Sequence, residues 1–395
     1  MDNSAFERAS ISLKLNGNDS GLSPMSYSVM EYDSIYSFYP KVKMVVSDYE
    51  GVCNEYLAFV DGTEVEILFG SNDEEIKKCK FTVAKNAVPQ QKTPNGIGGD
   101  YEIELTHNYY YKQFKRSKAY QSNISDIIKS LLKDYPFESL DIESTLNNGL
   151  WYQPYVNDSE FIVDYLSPFA YSSTSQNTPF YTFIDTNNVF HFKSFNSMFS
   201  AKPTVEMTYT TDGVAIIADE NSFSSVNFSQ SELSKIKPFF NLKMFTYDKD
   251  GKLDYEDNLI SKYFRSEGYF PIIVNEDKTT SILSVYDNDI NLEDTNNNNK
   301  GYMINQHKEM ILPDKIVINT VLNKSLVSGQ VLQINLPTVK SNDSDEKSLR
   351  TSGKYLIESS YHIWDSKTSR TMLVCSKQNV KLTDDYRNKN YFLSN

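Results

Sequence analysis

Apolar and polar residues alternate with a period of two through much of the first hundred positions. Residues 10–15, 27–30, 42–46, 79–83 and 101–106 each read as a short strand with one buried face. Turn residues separate these runs, and short strands at such spacing predict a sandwich or barrel. Beyond Tyr111 the period changes. Ile124, Ile127, Ile128, Leu131 and Leu132 recur as the stripe of an amphipathic helix, with Ser122 or Asn123 as N-cap and Asp134-Tyr135-Pro136 as its end. Asn157-Asp158-Ser159-Glu160 has the spacing of a capping box. It predicts a second helix buried through Phe161, Ile162, Tyr165, Leu166 and Phe169, kinked or stopped at Pro168. Residues 180–184 and 189–192 flank the turn 185–188 and predict a hairpin.

One strand signal occurs twice. Residues 60–69, Val-Asp-Gly-Thr-Glu-Val-Glu-Ile-Leu-Phe, recur loosely at 327–336 as Val-Ser-Gly-Gln-Val-Leu-Gln-Ile-Asn-Leu. In each copy a turn dipeptide, Asp61-Gly62 or Ser328-Gly329, supplies a glycine that reaches positive φ cheaply and feeds a strand. Val65, Ile67 and Phe69 then share a face in the first copy, as do Leu332, Ile334 and Leu336 in the second. Two more strand-like runs follow each: 79–83 and 101–106, then 355–359 and 371–376. The separation far exceeds the ~20–50 residues of a solenoid repeat. The pattern therefore predicts one β-domain duplicated with other material between.

Within that material residues 240–247 are strand-like, and Asp250-Gly251 turns them toward Leu253 and Tyr255. Residues 287–299, rich in Asp and Asn, read as a mobile loop. Met303, Ile304, His307, Met310 and Ile311 fit a helical face leading to Pro313, and 341–348 reads as an inserted surface loop. The expected fold is mainly β with α+β insertions. Its parts are a first antiparallel β-barrel domain over 1–112, a small α+β middle domain over 113–205, a connector and insertion over 206–305 that lends strands to its neighbours, a second, similar barrel over 306–385, and a polar tail over 386–395.

A length of 395 residues suits two to four domains. With 39% hydrophobic and 23% charged residues the composition is globular. No run approaches the ~18 apolar residues of a membrane span, and the N-terminus lacks the blocks of a secretory signal, so stable membrane insertion is not expected. Cys53, Cys79 and Cys375 form neither a disulfide framework nor a zinc pattern and read as small buried strand residues. A net charge of −13 disfavours stable nucleic-acid binding. The one compact basic cluster, 112–118 with Arg116, reads as a solvated edge. A conduit lined with carboxylates would still let a polyanion pass without sticking.

No catalytic, cofactor-binding or metal-ligating constellation is expected. His107, His191, His307 and His362 are scattered without ligand spacing. Gly96 to Gly99 follows no strand signal and reads as a hairpin tip rather than a phosphate loop. Asp287, Asp289 and Asn291 begin like a calcium loop, but Leu292 stands at the glycine position and Asn298 at the bidentate glutamate. Asp248, Asp250 and Gly251 fail similarly at Lys252. Both read as turns.

The order of a β-domain, a helix with the face Ser125-x-Ile127-Ile128-x-x-Leu131-Leu132, the run 150–166 (Leu-Trp-Tyr-Gln-Pro-Tyr-Val-Asn-Asp-Ser-Glu-Phe-Ile-Val-Asp-Tyr-Leu) and a Phe/Tyr-rich hairpin resembles the baseplate central hub proteins of contractile-tailed phages. Residues 313–319, 326–337 and 353–363 resemble the strands of that group's second β-domain, a module shared with late control proteins and with the base of type VI secretion tip proteins. The resemblance implies a non-enzymatic virion protein located in the tail baseplate and assembled in the host cytoplasm. It implies a homotrimer whose six similar domains form a pseudo-sixfold ring joining the tail tube and other baseplate proteins to a central spike, with DNA passing the lumen unbound. No spike or lysozyme-like domain follows the second barrel, so the spike is expected to be a separate polypeptide. Alternatives are a hub-like base of a type VI or tailocin spike, a glycan-binding tail adhesin using some of its 28 Tyr and 23 Phe, and a tail-associated wall hydrolase.

Overall fold

The structure is a computed structural model in which residues 10–23, 27–48, 59–70, 77–89, 99–110, 112–175, 178–210, 221–223, 225–229, 242–247, 253–257, 281–285, 301–302, 305, 314–337, 351–365 and 369–377 are described. The first strand set comprises β1 (Ser10–Leu15), β2 (Asn18–Asp19), β3 (Tyr27–Ser34), β4 (Ser37–Asp48), β5 (Glu64–Gly70), β6 (Lys77–Pro89) and β7 (Gly99–His107). They lie in the order β3-β4-β7-β6-β5-β1-β2, antiparallel throughout. Val29, Val42, Met44, Val65, Ile67, Val83 and Leu105 close one core from alternate positions, as the period-two pattern requires.

The middle region holds β8 (Arg116–Asn123), α1 (Ile124–Leu132), β9 (Ser139–Ile142), β10 (Asn148–Val156), β11 (Phe180–Ile184), β12 (Val189–Ser194) and α2 (Phe195–Ser200). Helix α1 buries the predicted stripe, but Asn123 makes no side-chain cap. The first amides are satisfied from a distance instead. Ile124 N–H donates to the Asn147 carbonyl at 3.3 Å and Ser125 N–H to Thr145 Oγ1 at 3.2 Å. Asn157 forms the N-cap half of the box read at 157–160, its Oδ1 accepting from Glu160 N–H at 2.7 Å. The helix then widens into a π turn over Phe161–Leu166 and tightens into a 3-10 turn over Ser167–Phe169 at Pro168. The wide turn changes the rotation per residue. Phe161, Ile162 and Leu166 stay buried while Tyr165, expected inside, is exposed. The hairpin forms as β11 and β12, with β9 added parallel to β12.

The remaining strands are β13 (Val205–Tyr209), β14 (Ser222–Phe223), β15 (Ser225–Ser229), β16 (Leu242–Tyr247), β17 (Leu253–Asp257), β18 (Ser281–Val285), β19 (Asp314–Val321), β20 (Val331–Asn335), β21 (Gly353–Trp364) and β22 (Ser369–Lys377). β16 to β18 make a separate three-stranded sheet. The second set runs β15-β19-β22-β21-β20-β13-β14, with β13 and β14 added parallel. Residues 287–299 and 341–348, and Met303, Ile304, His307, Met310 and Ile311, lie outside the described residues.

The two expected barrels are not seen as closed units among the described residues. β21 pairs with β20 through its first half and with β3 through Ser359 to Trp364, so both sets share one sheet of 14 strands. A strand edge that closing a barrel would consume is used to join the sets.

Candidate assembly interface

The duplicated turns form the same hydrogen bonds. Gly62 and Gly329 take φ of +87° and +83°. Gly62 N–H donates to the Val83 carbonyl at 3.0 Å and Val83 N–H to the Thr63 carbonyl at 2.9 Å. Likewise Gly329 N–H donates to the Ile357 carbonyl and Ile357 N–H to the Gln330 carbonyl, both at 2.9 Å. The ladders that follow share their register. Glu64 faces Thr82 as Val331 faces Leu356, Val83 faces Leu105 as Ile357 faces Cys375, Val42 faces Leu105 as Ile316 faces Cys375, and Val29 faces Met44 as Val226 faces Ile318. Both sets also slip register at one equivalent place, between Val83 and Lys85 in β6 and between Ile357 and Ser359 in β21. Unrelated sheets have no reason to share four registers and a bulge. Cys375 fills the place of Leu105 as a small apolar residue, and burial pushes its thiol pKa up, keeping it protonated.

The two sets meet where β21 crosses to β3. Tyr361 faces Tyr32, and Trp364 enters the first core beside Tyr27, with ring centroids 5.6 Å apart. The bulge residue Glu358 is buried and accepts from Lys315 Nζ at 2.7 Å and Tyr36 Oη at 3.1 Å. Asp33 lies at the centre, fully buried. Its Oδ1 accepts from Ser328 N–H at 3.0 Å and from the Ser328 and Ser360 hydroxyls, and its Oδ2 from Thr186 N–H at 2.9 Å. Burial raises its carboxyl pKa, against the lowering pull of these bonds. One side chain thus ties β3 to the turn before β20, to β21 and to the β11–β12 turn. Glu31, also inward on β3, ion-pairs with Lys324, whose burial holds its amine well below the ordinary value. The sequence carried a signal for this junction: acids at 31 and 33 continue the inward phase of Tyr27 and Val29.

His107, at the end of β7, seals the seam between the first strand set and the middle region beside a cavity of about 620 Å³. Tyr109 N–H donates to its Nδ1 at 3.2 Å, which leaves Nε2–H to donate to Asn188 Oδ1 at 2.9 Å. A neutral ring satisfies both contacts; burial pushes its pKa down to about 4, with the Asn188 bond opposing. His191 behaves oppositely. Burial pulls its pKa down, but Asp141 Oδ2 at 3.3 Å and Asp185 Oδ2 at 3.1 Å outweigh it and leave the value raised.

The signs follow by linkage. His107 contributes stability above its unfolded value of 6.5 that is lost as pH falls toward 4, on the order of 3 kcal/mol in all. His191 contributes stability below 6.5 that is lost as pH rises through its raised folded value. Urea midpoints followed against pH should show His107→Gln with a shallower acid-side loss than the parent and His191→Gln with a shallower alkaline-side loss. Parallel curves for all three proteins would mean that neither ring is held as described.

The other sequence candidates do not converge. His362 is buried against Thr371 Oγ1 at 3.1 Å. Cys79 lies in β6; His307, Cys53, residues 96–98, 248–252 and 287–298 lie outside the described residues. Among the described residues no group of three His, Cys, Asp or Glu could hold a metal ion, and no helix is long and apolar enough to cross a membrane. Lys112, Lys115 and Lys118 are exposed, as a solvated edge requires, while Arg116 is half-buried. It pairs at 2.7 Å with the buried Asp158, which also accepts from Tyr135 Oη and Gln153 Nε2. Sequence reasoning also missed the β8–β10 ribbon, whose outer face exposes Leu150 and Tyr152 next to Ala119.

No protein-family model matches the sequence, and no curated protein matches it. Solved structures do. The tail protein from Neisseria meningitidis MC58 superposes with a TM-score of 0.56 at 9% identity, covering 94% of this chain and 97% of that one. The 43 kDa tail protein of prophage MuSo2 from Shewanella oneidensis gives 0.55 at 10% identity, covering 93% and 98%. A chain of a lidless PdpA–VgrG complex gives 0.50 at 10% identity, covering 96% of this chain and 66% of that one. At such identities the likeness is one of fold, and the mainly β fold of this chain is that of these tail proteins.

Proposed function

We propose that this chain is a structural, non-enzymatic component of a contractile tail: the baseplate hub, in which three copies form a pseudo-sixfold ring between the tail tube and a separate central spike. The observation that carries the reading is the duplicated strand set, matched in four registers and a bulge. Three chains with two equivalent sets each present six similar surfaces, which is what a threefold object needs to meet a sixfold tube. The fold shared with two tail proteins, one of them from a prophage, over nearly their whole length supports the setting, in the virion tail. A net charge of −13 suits a lumen through which DNA passes without binding.

The test is solution mass, measured for the chain alone and mixed with a candidate spike protein. The expected result is a species of three times the 45.4 kDa chain mass, alone or bound to spike. Persistent monomer in both samples would overturn the hub reading.

A further inference from the structure

We infer that the edge of β6 beyond Ala84, unpaired among the described residues, is filled in one copy by β15 of the next, in the same arrangement by which β21 takes β3 within the chain. The inference rests on the ring reading and names the surface that would build it. Past its bulge at Glu358, β21 leaves β20 and runs along β3 from Ser359 to Trp364. β6 bulges at the equivalent Ala84 and also runs on, to Pro89, while its pairing with β5 stops at Thr82. From Ala84 onward no described strand is bonded to that edge, and Ala84 and Lys85 are exposed.

The strand equivalent to β3 in the second set is β15, since Val226 faces Ile318 as Val29 faces Met44. β15 is bonded to β19 on one side and to no described strand on the other. Among the described residues each chain therefore holds one filled junction and the two complementary halves of a second. An edge of unpaired amides and carbonyls is a template for another chain, and a head-to-tail contact of this kind generates a ring where the rotation closes.

The filled junction also sets the register. Lys85 faces Glu104 and Val88 faces Glu102, whereas Ser359 faces Val374 and Tyr361 faces Met372. β6 thus carries one more residue there, and Val88 stands where Tyr361 stands. Ser229 faces Lys315 as Tyr32 faces Lys41, so it stands where Tyr32 stands. Because Tyr361 faces Tyr32, Val88 of one copy should oppose Ser229 of the next. Pro89, lacking an N–H, limits the ladder, and Ala84 supplies none of the ion pairing that Glu358 brings to the internal junction. The contact between copies should accordingly be the weaker of the two.

The experiment is disulfide trapping in the full chain. Val88→Cys and Ser229→Cys chains, mixed and oxidised, should give a linked dimer that neither gives alone. The double variant should give linked dimers and trimers, while Tyr32→Cys/Tyr361→Cys links only within a chain. The unmodified chain sets the background from its own cysteines, and an amine-reactive cross-linker is run in parallel. Amine-linked trimers without the cysteine links would overturn this junction and leave the ring standing. Absence of both products would overturn both. Cysteine-linked ladders extending well beyond trimer would support the junction and count against a closed ring. Hydrogen exchange of the unmodified chain gives a reading independent of any variant: amides of 84–88 and 225–229 should gain protection as concentration rises, and their indifference to concentration would overturn the junction.

Discussion

Replacing Asp33 by alanine should destabilise the chain by about 3–5 kcal/mol, the range seen when one partner is removed from a buried charged network. Four donors converge on this carboxylate, two of them backbone amides. Alanine would leave Ser328 N–H, Thr186 N–H and two hydroxyls buried without it, each at a desolvation cost of about 1–3 kcal/mol less what relaxation and entering water recover. Asparagine preserves the shape but can present only one oxygen, so Asp33→Asn should cost less than alanine, about 2 kcal/mol. The measurement is the urea midpoint and slope of both variants against the parent. Because Asp33 joins both strand sets to the middle region, the alanine variant should also unfold less cooperatively. A change below about 0.5 kcal/mol for alanine, typical of surface sites, would mean that the carboxylate does not hold the junction.

How much of this was legible beforehand depended on whether the determining partner lay nearby in the chain. The turn glycines 62 and 329 were readable because positive φ is a local demand, and both positions meet it. The N-cap at Asn157 was readable for the same reason, its donor and acceptor being three residues apart. Duplication was visible in ten positions, but its strongest expression, the equivalent bulges at Ala84 and Glu358, is a property of ladder registers and has no sequence motif. The amide partners of α1 are Thr145 and Asn147, more than a turn of chain away and reached only through packing. Arg116 looked like part of a solvated basic run because Asp158, its buried partner, lies on the far side of the β8–β10 ribbon in sequence. The joining of the two sets could not be read at all from alternation: β21 shows a buried face throughout, yet only tertiary structure hands its first half to β20 and its second to β3. Glu31 and Asp33 were the one legible hint, since charges in the inward phase of a strand need buried partners.

The duplicated turns offer a matched comparison, because the same substitution at two equivalent glycines should have unequal cost. At Gly62 a Cβ would meet nothing within 4 Å, so Gly62→Ala should cost about 1 kcal/mol, the penalty of positive φ for a residue with a Cβ. At Gly329 the same atom would stand 2.6 Å from Phe183 Cζ and 3.5 Å from Met198 Sδ. Phe183 is fully buried in β11 and stacks on His191 at 4.7 Å, a ring itself held by Asp141 and Asp185, so it has little room to swing away. Overpacking of this kind adds about 1–3 kcal/mol, which brings Gly329→Ala to about 3 kcal/mol. Phe183→Leu in the Gly329→Ala background removes the obstructing ring atom and should recover part of the loss, which a double-mutant cycle would read as coupling between the two positions. Equal midpoints for the two glycine variants, or strict additivity with Phe183→Leu, would show that the second turn is not pressed against the middle region. The difference, if present, follows from their surroundings: the first turn is open on this chain, while the second is built into the junction around Asp33.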